Sequence, residues 1–353
     1  MSEDKTQKQV STSILKKRWK KFKTLKRGYY SFIVILILYA VSFILPLFIG
    51  KDALIVNYKG EYFFPIFKFY SAESFGQNIQ GEANYRLLDK QYKEENSGNW
   101  VLLPVYPFSP NENLLSELAG NPPHTPSSAH WAGTDDRGRD VFARLAYGFN
   151  IGLSFALIVT LLTYIIGIAI GAMLGFYGGK VDMFGLRIIE IWSTIPFFYL
   201  IIIISSILQP NFLLLTFILT LIGWISITYY MRGEFYREKA RDYVSAAVSM
   251  GAKNKKIIFS HILPNSLTPV ISFAPFAIVA NIFSLVSLDF LGFGLPPPTP
   301  SWGQLMQQGV VNIEYWWLIT TPLIAMFLTL LAIVFIGEAI REAFDPKVYS
   351  RMR

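Results

Sequence analysis

From Tyr30 onward long apolar runs are separated by short polar connections, apart from one polar stretch of nearly 100 residues after the first run. Five apolar runs and one mixed run each approach the ~20 residues that a helix needs to cross a ~30 Å hydrocarbon core. They lie near 30–50, 149–175, 187–208, 212–231, 266–291 and 316–337, and they predict six membrane-spanning helices. The first run is too long for a cleaved signal peptide and lacks a small-x-small site before the polar region, so it predicts a retained helix. Pro196 and Pro275 fall inside the third and fifth runs, where each removes a ladder hydrogen bond and predicts a kink. Gly148, Gly152, Gly167, Gly171 and Gly175 recur at four-residue spacings in two groups along the second run. Such a stripe lets helix backbones approach closely, either within this chain or against a second membrane subunit.

The segment 51–148 differs in character from everything after it. Two β-favouring runs in "ALIVNYKGEYFFPIF" flank Lys59-Gly60 and predict a hairpin. Downstream, "NPPHTPSSAHW" has no core-forming periodicity and reads as a Pro/Ser linker, so 51–130 is expected to form a small external subdomain. The later outer connections, Gln209 to Asn211 and Gly292 to Tyr315, are shorter, and the second carries the proline-rich "LPPPTPSWG".

Charge sets the expected orientation. Residues 16 to 27 hold eight cations and no anion, which predicts a cytoplasmic N-terminal segment over 1–29. Counting spans from there makes 176–190, 231–265 and the tail 338–353 internal as well. Together these inner segments carry 23 of the 32 Lys and Arg, whereas 51–148 has 9 against 12 Asp and Glu. Both termini are therefore expected in the cytoplasm. Beside a membrane span, the basic run reads as a topology determinant that meets anionic lipid, rather than as a nucleic-acid arm. Only 16% of the 353 residues are charged and 52% are hydrophobic, which agrees with a membrane protein. The absence of cysteine removes disulfides, thiolate nucleophiles and zinc-thiolate sites together.

Catalytic patterns are sparse. His124, His130 and His261 are the only histidines, and none sits in an H-E-x-x-H arrangement. His130, beside Trp131, reads as a surface residue at the mouth of the second span. "GLSFA" at 152–156 has Ala156 where a nucleophile elbow needs glycine. "LGFYGGKV" at 174–181 has Leu174 and Val181 where a phosphate loop needs glycine and a hydroxyl, so nucleotide hydrolysis by this chain is not expected.

"DYVSAAVSMGAKNKKIIFSHILPN", from Asp242 to Asn265, is the longest polar interruption in the apolar second half. Asp242 is suited to cap a helix start and Gly251 to end it in the left-handed conformation, which predicts about two turns of helix. Tyr243, Ala246, Ala247, Met250 and Gly251 then share one face. Lys253, Lys255 and Lys256 follow, and Pro264 closes the segment as a stop before span five. A short helix with a low-profile face, fixed at both ends to spans, fits another protein's groove; the alternative is an ordinary amphipathic interfacial helix.

This stretch resembles the cytoplasmic loop of the inner-membrane permeases of binding-protein-dependent ABC importers. Their loop carries Glu-Ala-Ala, three residues, Gly, nine residues, then Ile-x-Leu-Pro. Here it reads Ser245-Ala246-Ala247, three residues, Gly251, nine residues, then His261-Ile262-Leu263-Pro264. Ser245 for glutamate removes the carboxylate of a capping box. "GTDDRGRDVFARLAYG" at 133–148, "LDFLGFGLPPPTPSWG" at 288–303 and "GEAIREAFDPK" at 337–347 resemble the C-type subunit of oligopeptide and dipeptide importers. The long insert with "LIVNYKGEYFFPIFK" is similar to that of YejE-type permeases, associated with peptide and microcin C uptake.

The resemblance implies an all-α polytopic membrane protein with the six transmembrane helices of the ABC type I importer permease fold. A permease core over 149–337 would follow an extracytoplasmic insert between the first two spans, in a bacterial inner (plasma) membrane. It implies as partners a homologous B-type permease, two cytosolic ATPase subunits that bind the ATP, an extracytoplasmic peptide-binding protein and a peptide cargo, with no cofactor or metal on this chain. ATPase docking would then fall on Asp242, Tyr243, Ser245, Ala246, Ala247, Met250, Gly251 and Lys253. The motif Gly133, Thr134, Asp135, Arg137, Gly138, Arg139 and Asp140 reads either as a structural ion-pair knot, together with Asp136, or as a contact for the binding protein. Asp289, near the outer end of span five, is a candidate for the substrate path, since an ionisable residue in a span is a functional candidate by default. Two rival classes are an autonomous channel or secondary transporter and an intramembrane hydrolase.

Overall fold

The computed structural model describes residues 14–95 and 98–344; the end of the expected tail, 345–353, lies outside them. The chain opens with α1 (Ile14–Thr24) and α2 (Lys26–Ser42), bent by 100° at their junction. Phe22 of α1 is buried against Ala339 and Ala343, so the basic helix lies folded onto the end of the last helix rather than extending the first span. The first span was expected over 30–50. Its helix instead starts at Lys26 and ends at Ser42, before a 3-10 turn over Leu45–Leu47 that carries Pro46, because proline cannot continue the ladder.

The insert folds around a three-stranded antiparallel sheet in the order β2-β1-β3, from β1 (Ile55–Tyr58), β2 (Glu61–Phe63) and β3 (Trp100–Leu102). Lys59 and Gly60 both take positive φ (53° and 83°), the twist that a two-residue hairpin turn requires, so the expected hairpin is present. One sheet face packs Val56 with Phe75, Tyr85, Leu88 and Tyr92, the last three from α3 (Tyr85–Glu95).

Arg86 of α3 holds the insert to the chain that follows. Its guanidinium meets Glu112 at 2.7 Å, Glu117 at 2.7 Å and the Pro107 carbonyl at 2.6 Å. Burial raises the Glu117 pKa, but hydrogen bonds from Arg86 and Asn84 and the Arg86 charge outweigh it, leaving the carboxyl below its usual value. Its stabilising contribution is complete above the ordinary glutamate pKa, about 4.3, and is lost as pH falls through the lower folded-state value. Amide protection factors in the insert, taken against the intrinsic exchange rate at each pH, should therefore fall on acidification below that point. An Arg86→Gln variant should lose most of this acid dependence, and equal dependence in both proteins would discount the clamp.

The remaining helices are α4 (Val141–Tyr177), α5 (Gly179–Ser193), α6 (Phe197–Ile207), α7 (Phe212–Lys239), α8 (Asp242–Ser249), α9 (Asn254–Lys256), α10 (Leu263–Ile271), α11 (Ala274–Phe290), α12 (Trp302–Val311) and α13 (Trp317–Phe344). By length and composition α4, α7 and α13 can each cross a membrane. Three bent pairs raise the number to six if each pair is one span. Two of those bends, 65° before α6 and 52° before α11, coincide with Pro196 at the α6 cap and Pro275 in the first turn of α11, as expected. Pro264 does not stop the chain. A π turn over Ile257–Ile262 leads into α10, where Pro264 occupies the first turn, the place in a helix that needs no N–H. The last helix also runs past the expected span end at 337 to Phe344.

α4 and α7 form the backbone-to-backbone core of the bundle. A Cβ on Gly171 would lie 2.6 Å from the Thr228 carbonyl, and one on Gly175 2.6 Å from Phe235 Cβ, so these glycines serve packing within the chain. Gly148 abuts Trp302 in the same way, whereas Gly152 faces open space.

Candidate functional site

The segment after α7 is built as a short lever. α8 runs from Asp242 to Ser249, and Arg241 precedes it with extended backbone and no side-chain cap. Asp242 is therefore not the capping residue expected. It occupies the first helical position, where its charge meets the positive end of the helix dipole. At the other end Gly251 takes φ 78°, its N–H reaches the Val248 carbonyl at 2.9 Å, and Ala252 N–H reaches the Ala247 carbonyl at 3.0 Å. These are the two bonds of a Schellman ending, and any side chain at Gly251 would strain it.

Two residues of α8 turn inward, Val244 and Ala247. Val244 joins Phe176, Met231, Phe235, Ile257, Ile262 and Val270 in one apolar cluster. The face expected from spacing is thus divided: Ala247 packs inside the chain, while Tyr243, Ala246, Met250 and Gly251 are exposed, Met250 by 80%; Ser245, Val248 and Lys253, off that face, are exposed as well. On so short a helix the small residue needed for close approach to α8's own neighbours looks the same in sequence as one needed for a partner.

Tyr243 locks the lever to the bundle on both sides. Its hydroxyl donates to Glu238 Oε2 at 2.8 Å, lies 3.3 Å from the His261 carbonyl and accepts from Asn265 Nδ2 at 3.1 Å. Glu238 lies in the last turn of α7 and Asn265 in the first turn of α10, so the hydroxyl joins α8 to both. Spacing could not identify Glu238 or Asn265, which meet Tyr243 only through the turn of the chain.

The 133–148 motif forms a second built site at the start of α4. Asp135 is fully buried; Arg139 Nη2 lies 2.6 Å from Oδ2, Arg144 Nε lies 3.6 Å from it, and the Arg137 and Arg139 amides donate to Oδ1. Asp140 caps α4 by accepting from Ala143 N at 2.8 Å and also receives the Tyr106 hydroxyl at 2.6 Å. His130, expected at the surface, is buried, its Nδ1 2.8 Å from Asp140. Asp140, expected within the ion-pair knot, holds it there. Gly133 and Gly138 take φ of 73° and 70°, and a Cβ at Gly133 would lie 2.6 Å from the His124 carbonyl. Buried Thr134 accepts Trp317 Nε1 on its carbonyl at 3.1 Å, tying α13 to the motif. Asp136 and Arg137 are its exposed members.

Asp289 is buried and engaged within its own loop. Its Oδ1 accepts the Leu295 amide at 2.7 Å and its Oδ2 the Ser301 hydroxyl at 2.5 Å. Both contacts hold the "LGFGLPPPTPSWG" loop against the end of α11. Arg144, which the sequence reading passed over, joins this loop to the first motif by donating to the Pro110 carbonyl at 3.0 Å and the Thr299 carbonyl at 3.2 Å. No group of three metal-binding side chains occurs among the described residues.

The described helices thus form an apolar bundle of three unbroken candidate spans and three bent pairs, with α8 between α7 and the bent pair that ends in α11. A family model described as the binding-protein-dependent transport system inner membrane component matches residues 167–350, and the chain belongs to that family. It is 41% identical to the inner membrane ABC transporter permease protein YejE of Escherichia coli (strain K12), over 93% of this chain and 96% of that one. It is 37% identical to the peptidoglycan transport system permease protein YejE of Agrobacterium fabrum, over 94% and 93% of the two chains. The dipeptide transport system permease protein DppC of Bacillus subtilis matches at 32% over 70% of this chain and 78% of its own. Among solved structures, the inward-facing MetNI methionine ABC transporter shares the fold, with TM-score 0.50 and 19% identity over 58% of this chain and 97% of that chain.

Proposed function

We propose that this chain is the C-type permease subunit of a binding-protein-dependent ABC importer for short peptides, with α8 as the helix through which separate ATPase subunits drive it. The observation that carries the reading is the lever itself. α8 offers Ala246, Val248 and Met250 outward while Tyr243 ties it to the ends of two span elements. Closure of an ATPase pair would then move α8 as a rigid body and rock the spans attached to it, switching the side to which the path opens.

In this reading α8 and both termini face the cytoplasm and the insert lies outside, with a B-type permease completing the path and a solute-binding protein delivering cargo. The names of the relatives support peptides as cargo, and the Agrobacterium relative, named for peptidoglycan transport, adds peptidoglycan-derived peptides to the class to be tried. The chemical step of ATP hydrolysis would reside in the ATPase subunits.

Affinity purification of the full chain in mild detergent tests the assembly. A second permease and two ATP-hydrolysing subunits are expected to come with it, and peptide with its binding protein should raise their turnover. Peptide movement by the isolated chain in vesicles, without those subunits, would establish the autonomous-transporter reading instead.

A further inference from the structure

The insert carries an apolar sheet face that none of the described residues covers. Strand pairing places Tyr62, Asn57 and Trp100 in one row, and Leu102 beside Ile55, on the face opposite the core residues Val56, Phe63 and Val101. A one-sided antiparallel sheet ordinarily turns polar residues outward. Here Tyr62 is 62% exposed and stacks edge-on with Trp100, and the segment leaving β2 adds Phe67 at 82% and Phe69 at 64%. From Tyr62 to Ala72 the chain holds Lys68 and no acid. A patch of this kind marks an interaction surface.

Its position favours one occupant. The strand after Leu102 runs back beside the exit of α2, with Tyr106 N–H on the Phe48 carbonyl at 2.9 Å and Gly50 N–H on the Tyr106 carbonyl at 3.1 Å. Ile66 N–H bonds the Ala53 carbonyl at 3.1 Å, so the Phe64–Phe69 segment sits where the chain has just left the first span. Four residues lie between Phe48 and Ala53, so the two are at most ~18 Å apart along the chain. Exposed apolar residues therefore recur along this stretch, from Ile37 and Leu38 of α2 and Phe43 at its end through Phe48 and Val105 to Phe67 and Phe69. Those of α2 meet lipid. Aromatic rings with a lysine between them, on an acid-free segment beside a span, match the headgroup level of a bilayer, where rings lie in the interface and the amine snorkels to phosphate.

We propose that the insert lies on the leaflet at which α2 ends, its Tyr62–Trp100 sheet face and Phe64–Phe69 segment resting in the phospholipid headgroup layer. The hairpin then lies along the membrane rather than standing away from it, and α3 forms the water-facing back of the insert. This goes beyond the transport reading and depends only on the chain being membrane-embedded.

The cysteine-free sequence gives a direct test. Single-cysteine variants Phe67→Cys, Phe69→Cys and, on the exposed back of α3, Glu94→Cys are labelled with bimane in the full chain. The chain is reconstituted in nanodiscs of phosphatidylethanolamine and phosphatidylglycerol, alone and with whatever subunits co-purify. Lipid carrying a nitroxide near the headgroup is expected to quench positions 67 and 69 at least twofold and to leave 94 unchanged, while aqueous iodide should show the reverse order. Iodide quenching at 67 and 69 equal to that at 94 would overturn the proposal. So would protection of 67 and 69 from both quenchers once the other subunits are present, which would make a protein the occupant. Because both phenylalanines are mostly exposed, their replacement spares the insert core.

Discussion

Ala246→Arg combined with Met250→Arg is expected to reduce peptide-stimulated ATP hydrolysis of the reconstituted transporter by at least ~30-fold, while the chain still inserts and folds. Both side chains are exposed on α8 and add nothing to the chain's own core. If an ATPase subunit grips this face, the two guanidinium groups enter a desolvated contact without partners. Unpaired charge at such an interface costs on the order of 2–5 kcal/mol, and each 1.4 kcal/mol is a factor of ten. Ala247 and Gly251 are unsuitable for this purpose: Ala247→Arg would disrupt the chain's own packing, and Gly251→Trp would strain the left-handed ending of the helix. A milder variant separates grip from transmission. Tyr243→Phe removes the hydroxyl shared by Glu238 and Asn265, bonds worth roughly 0.5–1.5 kcal/mol each. The ATPase subunits should still co-purify with it, and stimulated turnover should drop several-fold. Undiminished stimulation in the double arginine variant would place the ATPase contact elsewhere.

Asp135→Ala should destabilise the chain by about 3–5 kcal/mol, because it strips the counter-charge from two buried guanidinium groups. Arg139 is nearly buried and Arg144 wholly so, and Arg144 also joins the 288–303 loop to the start of α4. The loss should appear as a thermal unfolding midpoint lowered by several degrees in detergent, with looser protection in both segments. Asp136→Asn changes an exposed carboxylate and should shift stability by no more than ~0.5 kcal/mol. If this motif instead serves an external binding protein, the exposed Asp136 and Arg137 are the residues whose replacement would alter delivery without altering stability. Equal, small effects of Asp135→Ala and Asp136→Asn would dismiss the buried knot as a support of the fold.

The features that sequence made visible are those governed by neighbours a few residues apart. Lys59-Gly60 announces its turn because few residues accept positive φ twice in succession, and Gly251 announces the end of α8 for the same reason. Pro196 and Pro275 mark two bends because each lacks the N–H that a continuous ladder needs. The third bend, between Thr24 and Lys26, carries no proline or glycine and follows from the docking of Phe22 onto α13, hundreds of residues away. Similarly, His130 could not be placed without Asp140 folded against it, nor Asp289 without Ser301 and the Leu295 amide.

By itself the sequence determined that the chain carries long apolar runs, a hairpin-bearing insert after the first and a polar helical interruption after the fourth. Apolar length, charge asymmetry and turn chemistry are properties of contiguous residues. Only the tertiary structure decided that Ala247 faces inward while Ala246 faces outward, that Arg144 binds two distant loops together, and that the insert leaves an aromatic face uncovered. Each of those depends on which surfaces meet once the chain has closed on itself, and a residue's neighbours in space are not written in its neighbours along the chain.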